Sequence, residues 1–480
     1  MTRLRTEILI IGSGAGGAAT AAVLAEAGRQ VTVVEQGPWI DPDADDAPEP
    51  FSLQEMVARY RHHGLSAALG HPPIAYAEGR CVGGSTEINS GLWHRLPPDV
   101  AASWRAEHGI DGFEPALLDR WADRVESWLS VSRLPGAPPL SSAVLERGAG
   151  KLGWRSTEVP RAVAYDGDGR ATRQTMARTV LPRAVAAGAD VLADCRVARL
   201  VRSGDRVTGG RAHRRRPDGT TEPIEIDAEH VVVCGGAIQT PALLQRSGIR
   251  HRVGRGLKLH PTIKIAARFP HPVAHHDVPM HRVTEFGPEL AIGGSASRPG
   301  HVGLALADSG AGAADVDAAL ADWEHVFVYY ASIRSEGSGR VLAVPGVGSP
   351  LVTYRLTDGD LSRLARGLLL LGELLLAAGA TELFPSVAGA RVVRRPEELA
   401  SWWGSVDRSR ANLMTVHLTS TVGMGEHPAR TGADSYGRVW GCGNLTVNDA
   451  SLLPDAPGVN PQATIMTIAV RNAEHLLSCM

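Results

Sequence analysis

The chain has 480 residues, 44% of them hydrophobic, enough to bury a core and long enough for two or three domains. A formal net charge of −2 gives no general attraction to nucleic acid, and no apolar run is long enough to span a bilayer. Five scattered cysteines, with no CxxC pair, argue against a disulfide framework or structural zinc and suit a reducing compartment.

EILIIGSGAGGAATAAVLAEAGRQVTVVEQG (7–37) follows the first methionine so closely that no signal peptide fits, which favours a cytoplasmic protein. ILII (8–11) is a continuous apolar run, as in a parallel strand buried on both faces. Gly12, Gly14 and Gly17 follow in G-x-G-x-x-G spacing. Gly12 permits a tight turn, Gly14 lets backbone approach a pyrophosphate, and Gly17 lets the next helix lie close to the strand. That helix is expected over 16–27, with phosphate at its N-terminus and Gly28 ending it. VTVVE (31–35) reads as the second strand, and its Glu35 stands eighteen residues after Gly17, placed to accept ribose hydroxyls. Strand, glycines, helix, strand and acid in register predict an adenine dinucleotide pocket, without choosing between NAD and FAD.

PWIDPDADDAPEP (38–50) is acidic and proline-rich and is expected to be a surface loop. GRCVGGSTEINSGLWHRLP (79–97) sets Ser85, Thr86 and Asn89 among Gly83, Gly84 and Gly91. It is either an ordinary loop or a wrapping for a polar ring or phosphate. The basic run RAHRRRPDG (211–219) ends in Pro-Asp-Gly and reads as a solvated hairpin tip. DAEHVVVCGGAIQTPALLQRSGI (227–249) repeats the strand, glycine, helix form in a second segment of one doubly wound sheet. Its helix is expected to start at Thr240-Pro241, a first-turn place for proline. DSGAGAADVDAALADW (308–323) is a small-residue linker running into a short helix. Alternation over 324–356 predicts antiparallel strands with one solvated face, on which the helix of 360–379 packs, ending at Gly379.

TVHLTSTVGMG (415–425) sets His417 among hydroxyls and small side chains, where it is either a packed core histidine or a base. In GVNPQAT (458–464), Asn460 stands where a helix begins and is well placed to be its N-cap. His62-His63 and His275-His276 lack ligand spacing backed by carboxylates or cysteines, so no metal site is expected. Trp402-Trp403 and Tyr329-Tyr330 suit a cavity wall or, more often, a core.

The first fingerprint, GRCVGGSTEINSG, GGAIQTPALLQRSGI and the closing run GRVWGCGNLTVNDASLLPDAPGVNPQATIMTIAVRNAEHLL (437–477) resemble, in order, the signature segments of the glucose–methanol–choline (GMC) oxidoreductases. RGLKLHPT (255–262) and the segment 336–360 look most like the long-chain alcohol oxidase branch and its bacterial dehydrogenase relatives. That branch's cysteine cluster has no counterpart in YDGDGRATRQTMARTVLP (165–182).

The resemblance implies an α/β protein with a discontinuous Rossmann-like FAD-binding domain and an α+β substrate domain built on an antiparallel sheet, like p-hydroxybenzoate hydroxylase. The FAD domain is expected over 1–98, 180–265 and 428–480, and the substrate domain over 99–179 and 266–427. Expected cofactor contacts are Gly12, Gly14, Ala15, Gly17, Glu35, Gln36, Arg80, Gly83, Gly84, Ser85, Asn89, Gly91, Val197, Gly236, Ala237, Asp449, Ala450, Pro461 and Gln462. The resemblance makes His417 the base and Asn460 its partner in oxidising a small-molecule alcohol by hydride transfer to FAD. The acceptor is then oxygen, a quinone or another carrier. His260 is expected to hold a loop, and His94 lies in a segment through which some family members attach FAD covalently. A non-redox lyase that keeps FAD as a structural element is the alternative, and a plain NAD-dependent dehydrogenase would leave the closing segment without explanation.

Overall fold

The computed structural model describes residues 2–273 and 280–480, so His275-His276 lie outside the described residues. The N-terminal strand Thr2–Ile11 is the centre of a seven-stranded sheet. On one side it pairs in parallel with Val31–Val34, which pairs in parallel with Asp190–Leu192. On the other it pairs in parallel with Thr221–Val233, whose last residues pair in parallel with Leu445–Val447. The earlier half of Thr221–Val233 serves instead as an arm of an antiparallel hairpin with Arg206–Arg215, and the basic run lies at the exposed tip. The chemistry follows the pairing: EPIEID alternates, with one face toward water, whereas HVVV runs apolar into the parallel core. The helix Ala15–Glu26 packs against the closing helix Gln462–Ser478, so the two ends of the sequence form one layer.

The helices Pro98–His108 and Pro115–Trp128 and the loop between them, in the segment expected on the substrate side, contribute Val100, Trp104, Phe113 and Leu118 to the core beside the nucleotide sheet. A nine-stranded, mostly antiparallel sheet forms the second domain, with Thr262–Arg268 and Val326–Ile333 at its middle. One face, carrying Ile263, Ile265, Tyr329 and Ala331, packs against the helix Asp358–Ala377. That helix starts with a capping box between Thr357 and Asp360 and stops just before Gly379. The three alternating runs of 324–356 do not share one sheet. Ser338–Leu342 and Leu351–Arg355 form a separate four-stranded sheet with Arg255–Leu259 and Leu418–Thr419. The break is fixed by Asp360, whose carboxylate accepts the N–H groups of Glu336 (2.9 Å) and Gly337 (3.0 Å) and turns the chain away.

The helix expected at Thr240-Pro241 begins at Gly236 and runs to Arg246, with Pro241 inside it. Proline has no N–H to give the carbonyl four residues earlier. That carbonyl, of Ala237, instead accepts the buried Thr421 hydroxyl at 2.7 Å, which lets the helix begin earlier than proline alone predicts. Thr421→Val should therefore strand a buried acceptor and cost about 1–3 kcal/mol, readable as a lower urea midpoint of unfolding. An unchanged midpoint would mean that the carbonyl finds another donor.

Candidate active site

The turn after the first strand is tied together by one side chain that G-x-G-x-x-G spacing passes over. Ser13 donates its hydroxyl to Glu35 Oε2 (2.8 Å) and accepts the Gly83 N–H (3.0 Å), so the first motif, the second strand and the second motif meet there. Glu35 also accepts the N–H groups of Ser13 (3.0 Å) and Gly37 (2.9 Å). A carboxylate has about four lone-pair sites, and these three bonds leave one for a ribose hydroxyl. Glu35→Ala should thus loosen the turn as well as the ribose, and lower the flavin-to-protein absorbance ratio after dialysis. A variant that stays fully loaded would count against both roles.

Two further cross-links join motifs far apart in the chain. Asn89 accepts the Gly91 N–H (2.9 Å) and donates to Gln462 Oε1 (2.6 Å), joining the second motif to the closing helix. Asp449 accepts the N–H groups of Gly236 (2.8 Å) and Ser451 (2.7 Å), and the hydroxyls of Thr240 and Ser451, joining the third motif to the closing segment. Burial raises the Asp449 pKa, against the pull of those bonds. All the residues expected at the site open on one cavity of about 1030 Å³, except Gly17, Arg80 and Gly83. Gly17 is pressed behind the turn, Arg80 gives its N–H to the Arg59 carbonyl (2.7 Å), and Gly83 is taken by Ser13. A Cβ on Gly14 would meet nothing nearer than 4.0 Å: the backbone is bare toward the cavity at the helix N-terminus, as an approaching pyrophosphate requires. Gly16, which the spacing rule does not single out, touches the closing segment, where a Cβ would stand 2.0 Å from the Asn448 carbonyl oxygen.

His417 projects from between the short strands Leu413–Thr415 and Leu418–Thr419. The Thr415 hydroxyl holds this backbone, accepting the His417 N–H (3.2 Å) and donating to its carbonyl (3.1 Å). The ring sets Nε2 at 3.2 Å from the Asn460 side-chain amide and Nδ1 at 2.9 Å from Nδ1 of His260. Asn460 precedes the helix N-cap, Pro461, and turns its side-chain amide to His417 rather than to the helix. His260, expected only to hold a loop, is thus a direct partner of His417. Its Nε2 accepts the Gly458 N–H at 3.1 Å. A backbone N–H can only donate, so His260 carries hydrogen on Nδ1 and gives it to His417, and a neutral His417 keeps its own on Nε2, which the Asn460 side chain then meets with its amide oxygen.

Arg282 is buried beside this cluster, with no carboxylate in ion-pair range among the described residues. It donates to the Gly458 carbonyl (3.1 Å) and to His94 Nε2 (3.2 Å). Burial, helped by this guanidinium, holds the His417 pKa down to about 3. Burial and neighbouring charge hold His260 and His94 well below the usual histidine range. All three rings are therefore neutral near pH 7. His94 does not open on the cavity, so it is not placed to bond a cofactor there. Among the paired aromatics, Tyr329 and Trp402 are core, Trp403 is exposed, and Tyr330 lines the cavity. No group of three metal-ligating side chains occurs among the described residues, and no helix there is long and apolar enough to cross a membrane.

Sequence profiles of the GMC oxidoreductases match residues 7–262 and 345–469. An uncharacterised GMC-type oxidoreductase of Sinorhizobium fredii is 40% identical over 99% of this chain and 95% of its own length. A long-chain-alcohol oxidase of Arabidopsis thaliana is 25% identical over 97% of this chain and 66% of its own. Among solved structures, pyridoxine 4-oxidase from Mesorbium loti superposes with a TM-score of 0.73 at 21% identity, covering 98% of this chain and 99% of that one.

Proposed function

The chain belongs to the GMC oxidoreductase family and takes FAD as its cofactor, and from that premise we propose that it oxidises an alcohol to an aldehyde or ketone. The observation that carries this reading is the contact of His417 with both Asn460 (3.2 Å) and His260 (2.9 Å) on the wall of the cavity. When bound, FAD accepts the carbinol hydride. The Gly14 backbone and helix N-terminus would hold its pyrophosphate, and Glu35 its ribose. The residues of this chain then have to hold the carbinol oxygen and take its proton.

His417 is neutral and faces the cavity, so it has capacity for that proton at Nε2. Its resting tautomer keeps hydrogen there, because the fixed Gly458 N–H dictates the order through His260. Proton uptake at Nε2 needs the opposite tautomers: one proton leaves His417 Nε2 to cavity water, the His260 Nδ1 hydrogen passes to His417 Nδ1, and water returns a proton to His260 Nε2, giving up the Gly458 bond at about 1–3 kcal/mol. The buried Arg282 charge makes a cationic His417 unfavourable by itself, so uptake has to accompany the loss of hydride from the same carbon. Asn460 offers an uncharged N–H to the oxygen as negative charge gathers on it.

The test is the visible spectrum of the purified protein, followed anaerobically as a panel of alcohols is added. Bleaching of the flavin by one class of alcohol is the expected result. A flavin that no alcohol bleaches, in a protein that nonetheless cleaves hydroxynitriles, would replace oxidation with the lyase reading.

A further inference from the structure

The cavity wall opposite the helix Asp358–Ala377 carries a lysine that the reaction above does not use. Along Thr262–Arg268, Ile263 and Ile265 point into the core, so Thr262 and Lys264 face the cavity. Lys264 pairs in register with Tyr330, and Thr262 with Ser332, which puts those side chains on the same wall. The Lys264 side chain is half-buried and opens on the cavity, and no carboxylate among the described residues lies in ion-pair range of its ammonium. Asp308, the acid that most influences it, shares the cavity without forming an ion pair. Burial lowers the Lys264 pKa to about 8, with Asp308 resisting.

The other groups around this end add no compensating charge. His301, on the helix Pro299–Ala307, is held to about 4 by burial, Lys264 and Arg298, and is neutral. Burial raises the Tyr330 pKa, so its phenol also stays neutral, and Tyr330 feels the charge of Arg282. Arg408 lines the cavity and is engaged by Asp358, while Arg282 adds a second cation. At this end of the cavity Lys264 thus faces Asp308 without an ion pair. An ammonium partly withdrawn from water with no ion pair is stabilised by an anion that arrives to meet it.

We infer that the alcohol oxidised here carries an anionic group, a carboxylate or phosphate, which Lys264 binds while the carbinol sits at His417. The inference rests on the alcohol-oxidation reading and narrows its substrate class. Lys264 stays outside the redox balance: the carbinol carbon loses hydride to the flavin, its oxygen loses a proton to His417, and the ammonium only holds charge. Four residue steps lead from His260 to Lys264, the last two along the strand from Thr262, so the Cα atoms lie at most ~13 Å apart. The hydroxyl and the anion therefore sit on different carbons of the substrate, within that span of each other.

The experiment uses the FAD-loaded protein and two probe series. For binding, straight-chain alkanoates are compared by calorimetry with alkanols of equal length, neither series being an ω-hydroxy acid. For turnover, ω-hydroxyalkanoates are compared with the diols of equal length. Wild type is expected to bind the acids ~30-fold more tightly, as for a charge-assisted hydrogen bond. Lys264→Met and Lys264→Gln should each erase that preference and raise KM for hydroxy acids, leaving kcat and the diols nearly unchanged. In wild type, acid binding should weaken as pH rises through about 8, where the ammonium loses its proton, and alkanol binding should not. Equal binding of acids and alkanols, or a preference that survives both substitutions, overturns the inference. Acids that bind through Lys264 while no hydroxy compound bleaches the flavin would keep the anion site and remove the alcohol-oxidation reading.

Discussion

Replacing His417 with alanine is expected to leave a folded, yellow protein whose flavin is reduced by substrate at least ~10²-fold more slowly. The expectation divides cleanly between fold and chemistry. His417 is half-buried on the cavity wall, so water can enter the space it leaves and satisfy the Nδ1 hydrogen of His260. Little stability should be lost. The reaction, in contrast, loses the ring through which the hydroxyl proton leaves, and the loss should fall on the rate of reduction. Anaerobic stopped-flow spectra of wild type and variant supply the comparison. Equal reduction rates would remove His417 from the proton path and return it to the ordinary role of a packed histidine.

The second large effect concerns two glycines three residues apart, where the same added methyl has opposite consequences. At Gly17 a Cβ would stand 1.9 Å from the Gly12 carbonyl oxygen, a rigid backbone atom, so the helix must be pushed off the strand. Gly17→Ala should reach or exceed the upper end of the ~1–3 kcal/mol typical of overpacking, and lower the melting temperature of the protein with or without FAD. At Gly14 the added methyl meets nothing of the protein nearer than 4.0 Å. Gly14→Ala should leave the apoprotein melting temperature unchanged and weaken FAD binding ~10²-fold, because the methyl stands where the pyrophosphate must come and breaks charge-assisted bonds. The pair is decided by differential scanning fluorimetry and flavin titration together. Gly14→Ala binding FAD normally would move the phosphates away from the helix N-terminus.

The parts of this molecule that the sequence declares are those whose physics is local. The first strand, its glycine turn and Glu35 lie within a few dozen residues, and each residue type there has a backbone reason to be present. The likeness of the closing segment to a known family adds His417 and Asn460, which the fold brings within 3.2 Å. His260 is harder to read, because its contact with His417 crosses 157 positions and depends on the pairing of two short strands. Arg282 and Lys264 carry no motif. Each looks like a cation on the solvated face of a strand, and only the fold turns that face to the cavity. The early start of the helix at Gly236 was hidden for a similar reason: the donor that excuses Pro241 is Thr421, far along the chain. A marker existed for the split of 324–356 into two sheets, since Asp360 sits in a recognisable helix-start pattern, but its grip on Glu336 and Gly337 is tertiary.

The edge strand Leu445–Val447 and the bond from Asn89 to Gln462 have a consequence for how the molecule is made. The nucleotide sheet contains both the earliest strand of this chain, Thr2–Ile11, and the latest, Leu445–Val447. Until residue 462 emerges, Asn89 lacks its partner, and until residue 449 emerges the Gly236 turn lacks its own. Pairings this distant are slow to close, and the half-made sheet must wait with an open parallel edge. A nascent chain therefore cannot hold its cofactor as it grows. Flavin capture waits for the closing segment, and any shortage of flavin would leave a chain already carrying that segment exposed to aggregation and proteolysis.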